Sequence, residues 1–192
     1  TPALLDHLWV DNERGMYELT AHVLDAHRYD DVCFVAGPED SPDSHSRFDG
    51  FRAACLERGR RAPERPEYRG DFTTAGGAAV VARLLAEGRM PRALLCANDQ
   101  TAIGAMSALR QARRRIPADV AVTGFDGVHV GRHLHPGLTT VVQPMRELGE
   151  NAVRMLQRRI TDADADGQDI QLPVRVQLRG SCGCRTRSRD EV

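Results

Sequence analysis

Apolar residues along this chain fall into two alternating patterns. Short runs, Leu8-Trp9-Val10, Val32-Cys33-Phe34-Val35-Ala36, Ala93-Leu94-Leu95-Cys96 and Val120-Ala121-Val122, read as strands, and Leu138 to Val142 as a further one. Between them apolar residues recur at three- and four-residue spacing, as amphipathic helices require. One such helix carries Met16, Leu19, Val23 and Leu24; a second carries Phe48, Phe51, Ala54, Cys55 and Leu56 and stops at Gly59. Further helices are predicted over Thr74 to Glu87, Asp99 to Arg114 and Met145 to Ile160, the last with Leu148, Val153, Met155 and Leu156 among its apolar positions. Pro66 to Gly70 reads as extended, and Asp162 to Gln168 as a polar turn. Gln171 to Leu178 alternates like an edge strand, with Leu172, Val174, Val176 and Leu178 on one face. Residues 185–192 read as a disordered tail.

Strands that are apolar throughout, alternating with helices, imply an α/β fold with a parallel sheet flanked by helices on both faces. In such sheets ligands bind beyond the carboxyl ends of the strands. Those ends carry Gly37 onward, Asn98-Asp99 and Asp126.

Composition narrows the picture. The chain has 192 residues, 41% hydrophobic and 28% charged, with a net charge of −1, so no strongly cationic surface is available for nucleic acid. Every one of the 26 basic residues is Arg. The densest cluster, Arg113-Arg114-Arg115, reads as a solvated helix end complementing the helix dipole. No apolar stretch is long enough to cross a bilayer, and residues 1–12 show neither a basic leader nor an apolar secretion core. The five cysteines are scattered rather than arranged as a disulfide framework, which fits a reducing cytoplasm.

Eight segments, in order over residues 8–184, resemble the LacI/GalR family of transcription regulators. Cys96 to Met106 is similar to its "ANDxxAxGA" element, and Ile116 to Asp126 to its "VPxDVxVxGFD" element. Pro136 to Val141 resembles "PxLTTV", Met145 to Val153 the following helix, and Leu172-Pro173 with Arg179 to Cys182 the closing "LP…R.SC". Upstream, Val10-Asp11-Asn12, Ala36-Gly37-Pro38 and Arg47 to Phe51 resemble "VDN", "aGp" and "RxxGF". The resemblance implies a periplasmic-binding-protein-like fold of two lobes, one incomplete here. It puts residues 12–128 and 170–184 in a C-terminal lobe and residues 1–11 and 130–165 in a remnant of the N-terminal lobe. It also implies a cytoplasmic homodimer that senses a small, sugar-like effector and reaches DNA only through a headpiece absent from this sequence. Neither an enzymatic role, a cofactor nor a membrane partner is implied.

Four residues are candidates for effector binding: Arg47, Phe72, Asn98 and Asp126. A carboxylate at the end of a buried strand, as Asp126 is, can accept from two ligand hydroxyls; equally, an Asp before Gly127 can simply form a turn. Either Asn98 or Asp99 can cap the helix that follows; the resemblance assigns Asn98 to the ligand and leaves Asp99 as the cap. Arg47, placed in the loop or first turn after Gly37-Pro38, offers five donors in one plane, against the ordinary alternative of a surface arginine. Phe72 precedes a helix and can either staple back onto it near Ala78 or present a flat ring to a sugar face. At the subunit contact the resemblance implies Ile103 and Leu134, and Met106 lies three residues from Ile103 on one helical face; burial in the core is the alternative for all three.

Other chemistry finds little support. No phosphate-binding glycine loop and no G-x-S-x-G element is present. His129, His133 and His135 have no carboxylate placed to complete a metal set, and Cys182-Gly183-Cys184 has no second pair nearby in sequence, so no metal site is expected. Two other functional classes share the predicted architecture: a periplasmic binding protein of a transport system, and a sensor fused to a different signalling output.

Overall fold

The computed structural model describes residues 5–162 and 165–185. Six strands form one sheet, in the order β3 (Tyr68–Arg69), β2 (Val32–Ala36), β4 (Ala93–Cys96), β5 (Ala121–Asp126), β6 (Thr139–Val142), β8 (Arg175–Gln177). All neighbours pair in parallel except β6 and β8, which are antiparallel. From β2 the chain passes first to β3 on one side and then to β4 on the other. That reversal makes the carboxyl ends of β2 and β4 the place where a crevice opens.

Both faces of the sheet are covered, which explains why its central strands β2 and β4 are apolar at every position. Along β4 the side chains alternate. Ala93 and Leu95 pack with α1 (Asn12–His27) and α2 (Pro42–Glu57), contributing to a core with Met16, Leu19, Val23, Phe34, Phe48, Phe51 and Phe125. Leu94 and Cys96 face the other way, toward α3 (Thr74–Ala86) and α4 (Asp99–Gln111), with Val80, Leu84, Met106 and Leu109. The helix pairs approach closely through glycine. A β-carbon on Gly50 would collide with the backbone carbonyl of Glu13, and one on Gly104 with that of Thr74.

A second, two-stranded sheet joins β1 (His7–Val10) in parallel to β7 (Asp169–Leu172), and α5 (Met145–Thr161) contacts β1. Only Met155 of α5 is fully buried. Met145 (65% exposed), Val153 (56%), Leu156 (62%) and Ile160 (76%) form an apolar stripe facing outward.

Several expectations need correction. The strand Leu138–Val142, expected in the remnant of a second lobe, is β6 of the six-stranded sheet, hydrogen-bonded to β5 over four residue pairs; α5 alone of that segment stands with β1 and β7. Gln171 to Leu178 is not one strand. Pro173, which has no N–H to offer a ladder, marks a break, and the halves β7 and β8 enter different sheets. Residues 170–172 therefore lie apart from the sheet to which they were assigned. Helix α4 ends at Gln111, and Arg113 adopts a left-handed conformation (φ 56°) beyond it. Most of the tail expected to be disordered lies outside the described residues.

Candidate functional site

A cavity of about 620 Å³ opens at the carboxyl ends of β4 and β5. Its lining includes Arg47, Phe72, Asn98 and Asp126, which come from four separate segments. A smaller cavity of about 360 Å³, reached by none of these four, lies around the amino end of β2, against Val32, Tyr68 and Met90.

Arg47 lies in the second turn of α2 rather than in a loop, because Ser41 caps the helix and Pro42 starts it. Its side chain is no surface arginine; the residue is 3% exposed. Nε donates to Asn12 Oδ1 (2.7 Å) and Nη1 donates to the Ala97 carbonyl (2.7 Å) and to Asp126 Oδ1 (3.4 Å). The guanidinium lies 3.9 Å from the centroid of the Phe125 ring, a cation–π contact. Nη2 meets Asp43 only at 3.9 Å, beyond hydrogen-bond distance. Burial lowers the pKa of the Arg47 guanidinium and the Asp126 charge opposes that shift; Arg47 stays charged, since guanidinium groups do not deprotonate in proteins.

Asp126 ends β5, where the chain turns, and its carboxylate lines the cavity. It sits in the turn, with φ 115° followed by Gly127 at φ 78°, a conformation that costs a non-glycine residue about 1–3 kcal/mol. Pairing with Val142 and a hydrogen bond from Gln143 N to its carbonyl hold it there. The carboxylate accepts from Gln143 Nε2 (2.7 Å) and Arg47 on the same oxygen, Oδ1, which leaves Oδ2 open. Burial raises its pKa, against the pull of Arg47 and Gln143.

The capping roles of Asn98 and Asp99 are the reverse of expectation. Asn98 is the cap: Oδ1 accepts from Thr101 N (3.0 Å), while Nδ2 donates to the Phe72 carbonyl (3.1 Å) and keeps one N–H for the cavity. Asp99 is fully buried beneath the cavity floor. Its Oδ1 accepts from Thr140 Oγ1 (2.6 Å) and its Oδ2 from Val128 N (2.7 Å), linking α4 to β6 and to the loop after β5. Gly124 leaves the space that this carboxylate occupies. Burial pushes the Asp99 pKa up to about 6, the two hydrogen bonds holding it back.

Phe72 does not staple onto α3. Its ring covers Gly37, where any β-carbon would collide with it, and packs on the core under α1 and α2. It occupies positive φ (59°), and its ring lies 5.9 Å from the Arg47 guanidinium. One flat wall of the cavity is therefore aromatic. Sequence reasoning missed Asn12, Asp43 and Gln143, which hold or extend the same network. Gln143 stands one residue beyond the end of β6, and Asn12 one residue after the Asp11 cap of α1; the position of each beside a strand or helix end was the available signal.

At the expected subunit contact, Ile103 and Leu134 are half-buried and pack against the core beneath α3 and α4. Met106 is corrected to a core residue, 1% exposed. It lies about 60° around the helix from Ile103, enough to turn it fully inward. His129 lines the cavity and its ring approaches that of His133 at 5.1 Å. Cys182 and Cys184 have no second pair nearby in sequence, but in space His22 and His27 of α1 stand beside them, at the other end of that helix from the cavity.

The sequence profile of the periplasmic binding protein-like domain matches residues 21–182. The chain belongs to the periplasmic-binding-protein-like domain family. Within it, the similarity is to LacI-type regulators, which are transcriptional repressors rather than enzymes. The ribose operon repressor of Escherichia coli K12 is 37% identical over 150 residues, 78% of this chain and 46% of the repressor. A transcriptional regulator CelR–cellobiose complex superimposes with a TM-score of 0.85 at 31% identity, covering 92% of this chain and 54% of that one. A LacI family regulator from Enterococcus faecium with bound ribose superimposes at 0.83, with 27% identity, covering 94% of this chain and 66% of that one. This periplasmic-binding-protein-like chain spans about half the length of the curated relatives it matches.

Proposed function

We propose that this chain is the effector-sensing and dimerisation domain of a cytoplasmic LacI/GalR-type transcription regulator, and that its effector is a sugar or similar small polar molecule. Contact with DNA belongs to a headpiece outside this sequence. The observation that carries the reading is the unused hydrogen-bonding capacity at one cavity. Asp126 Oδ2, the Arg47 Nη2 N–H groups and one Asn98 N–H are open, beside the Phe72 ring. An acceptor-only carboxylate beside an acceptor-free guanidinium suits a ligand whose hydroxyls both donate and accept. An aromatic wall suits the apolar face of a pyranose or furanose ring. The names of the relatives point the same way, since one regulates a ribose operon and two solved structures hold cellobiose or ribose.

The test is calorimetric titration of this chain with pentoses, hexoses and disaccharides, repeated on Phe72→Ala and Asp126→Asn. At least one sugar is expected to bind, and each substitution to weaken it tenfold or more, since about 1.4 kcal/mol is one decade. Equal binding by both variants and the parent chain overturns the site.

A further inference from the structure

We propose that His22, His27, Cys182 and Cys184 form a Cys2His2 zinc site that fastens the C-terminal segment to α1. The four donor atoms lie within 4.8 Å of one another although the two pairs are about 160 residues apart in sequence. Cys184 Sγ is 3.2 Å from His22 Nε2 and 3.5 Å from His27 Nε2. A tetrahedral Zn²⁺ with Zn–S of about 2.3 Å and Zn–N of about 2.05 Å requires S–N edges of about 3.6 Å and an S–S edge of about 3.8 Å. Two edges are thus close to the required length already, and the widest spacing in the set needs to contract by roughly 1 Å.

The local backbone places the donors. His22 and His27 have the H-x4-H spacing common to structural zinc sites. Five residues along a helix rotate a side chain about 140° away from the first, but His27 is the last residue of α1. The chain turns left-handed at Arg28 (φ 53°), and the rings of His22 and His27 meet edge to face with centroids 5.0 Å apart. Tyr29 stacks on His27 at 5.2 Å and fixes its plane. On the other side, Cys182 and Cys184 are separated by Gly183 at φ 110°, a conformation glycine alone adopts readily. A β-carbon on Gly183 would approach Tyr29 Oη and His27 Nδ1. Cys182 is fully buried while His22, His27 and Cys184 are half-buried. The site is therefore sheltered yet reachable from solvent. Two thiolates and two imidazoles select zinc among the divalent metals that carboxylate sites would accept. The effector cavity shares none of these residues, and the site leaves no coordination position open, so its role is structural.

The experiment uses the whole 192-residue chain, reduced and stripped with chelator, then titrated with Zn²⁺ against a chromophoric chelator and separately with Co²⁺. One equivalent of Zn²⁺ is expected to bind. Co²⁺ is expected to give thiolate charge-transfer absorption with tetrahedral d–d bands, bleached by Zn²⁺. Cys184→Ser and His22→Ala are each expected to weaken Zn²⁺ binding on the order of a hundredfold or more, with unchanged far-ultraviolet circular dichroism. The double variant His129→Ala/His133→Ala, in the other histidine cluster, is expected to bind like the parent. Cys182 is left intact in the primary test because replacing its buried thiol carries a packing cost, which His22→Ala sidesteps. Absence of thiolate absorption with Co²⁺, or Zn²⁺ affinity unchanged in both Cys184→Ser and His22→Ala, overturns the site.

Discussion

Arg47 donates from Nη1 to Oδ1 of Asp126 at 3.4 Å, yet the same guanidinium spends its shorter bonds on Asn12 and the Ala97 carbonyl. The two residues are thus unequal partners. Arg47 is a structural element that shows one edge to the cavity, whereas Asp126 has one oxygen without a hydrogen bond there.

Arg47→Met is therefore expected to lower folding stability by about 2–4 kcal/mol as well as abolish ligand binding. It strands two buried acceptors and leaves Asp126 and Asp43 without their common cation. Asp126→Asn keeps the shape and is expected to cost stability far less while weakening the ligand tenfold or more. Urea unfolding of both variants, without ligand, separates the two roles; equal losses of stability would refute the assignment.

Asp99 predicts a pH dependence with a definite sign. Its pKa is about 6 in the folded chain against 3.8 for an unperturbed carboxyl, so the folded state binds the proton more tightly. The stability this group contributes is complete below pH 3.8 and is lost as pH rises through 6, by about 3 kcal/mol in all. Asn cannot titrate, and its amide would point a donor at the Val128 N–H. The stability advantage of the parent chain over Asp99→Asn should therefore shrink between pH 4 and pH 7. Urea midpoints across that range measure it, and an advantage that grows with pH would contradict the buried placement.

Ile103 and Leu134 are expected to lie between subunits and Met106 within one. Ile103→Asp or Leu134→Asp should give a folded monomer in sedimentation, whereas Met106→Asp, which places a charge in a closed core, should unfold. If Ile103→Asp unfolds as well, the half-buried face is part of the core and the interface is elsewhere.

The outward stripe on α5 predicts association of a second kind. Exposed apolar patches of this size promote contact between chains. The double substitution Leu156→Glu/Ile160→Glu should reduce concentration-dependent light scattering of this chain while leaving its melting temperature within a few degrees, since neither side chain contributes to a buried core. Unchanged scattering would place the sticky surface on another face.

Strand and helix identities were legible because they depend on local patterns. Continuous apolar runs such as Val32–Ala36 and Ala93–Cys96 need cover on both faces, and a helix with Met16, Leu19 and Val23 on one stripe needs only one. The carboxyl ends of those strands follow from the same patterns, which is why Asn98 and Asp126 could be singled out. What the sequence could not decide were choices between neighbours with equal local merit. Asn98 and Asp99 are both good caps; tertiary packing sent Asp99 inward because Thr140 and the Val128 N–H, both remote in sequence, offer it partners there. Strand β6 entered the main sheet because β5 presents a matching edge, and Pro173 divided the segment after α5 between two sheets. Whether Arg47 is exposed or buried rests on Asn12 and Ala97, contributed by other elements. The meeting of Cys182 and Cys184 with His22 and His27 is the extreme case: a linear chain holds no trace of a proximity that exists only once α1 and the C-terminal turn pack at one end of the sheet.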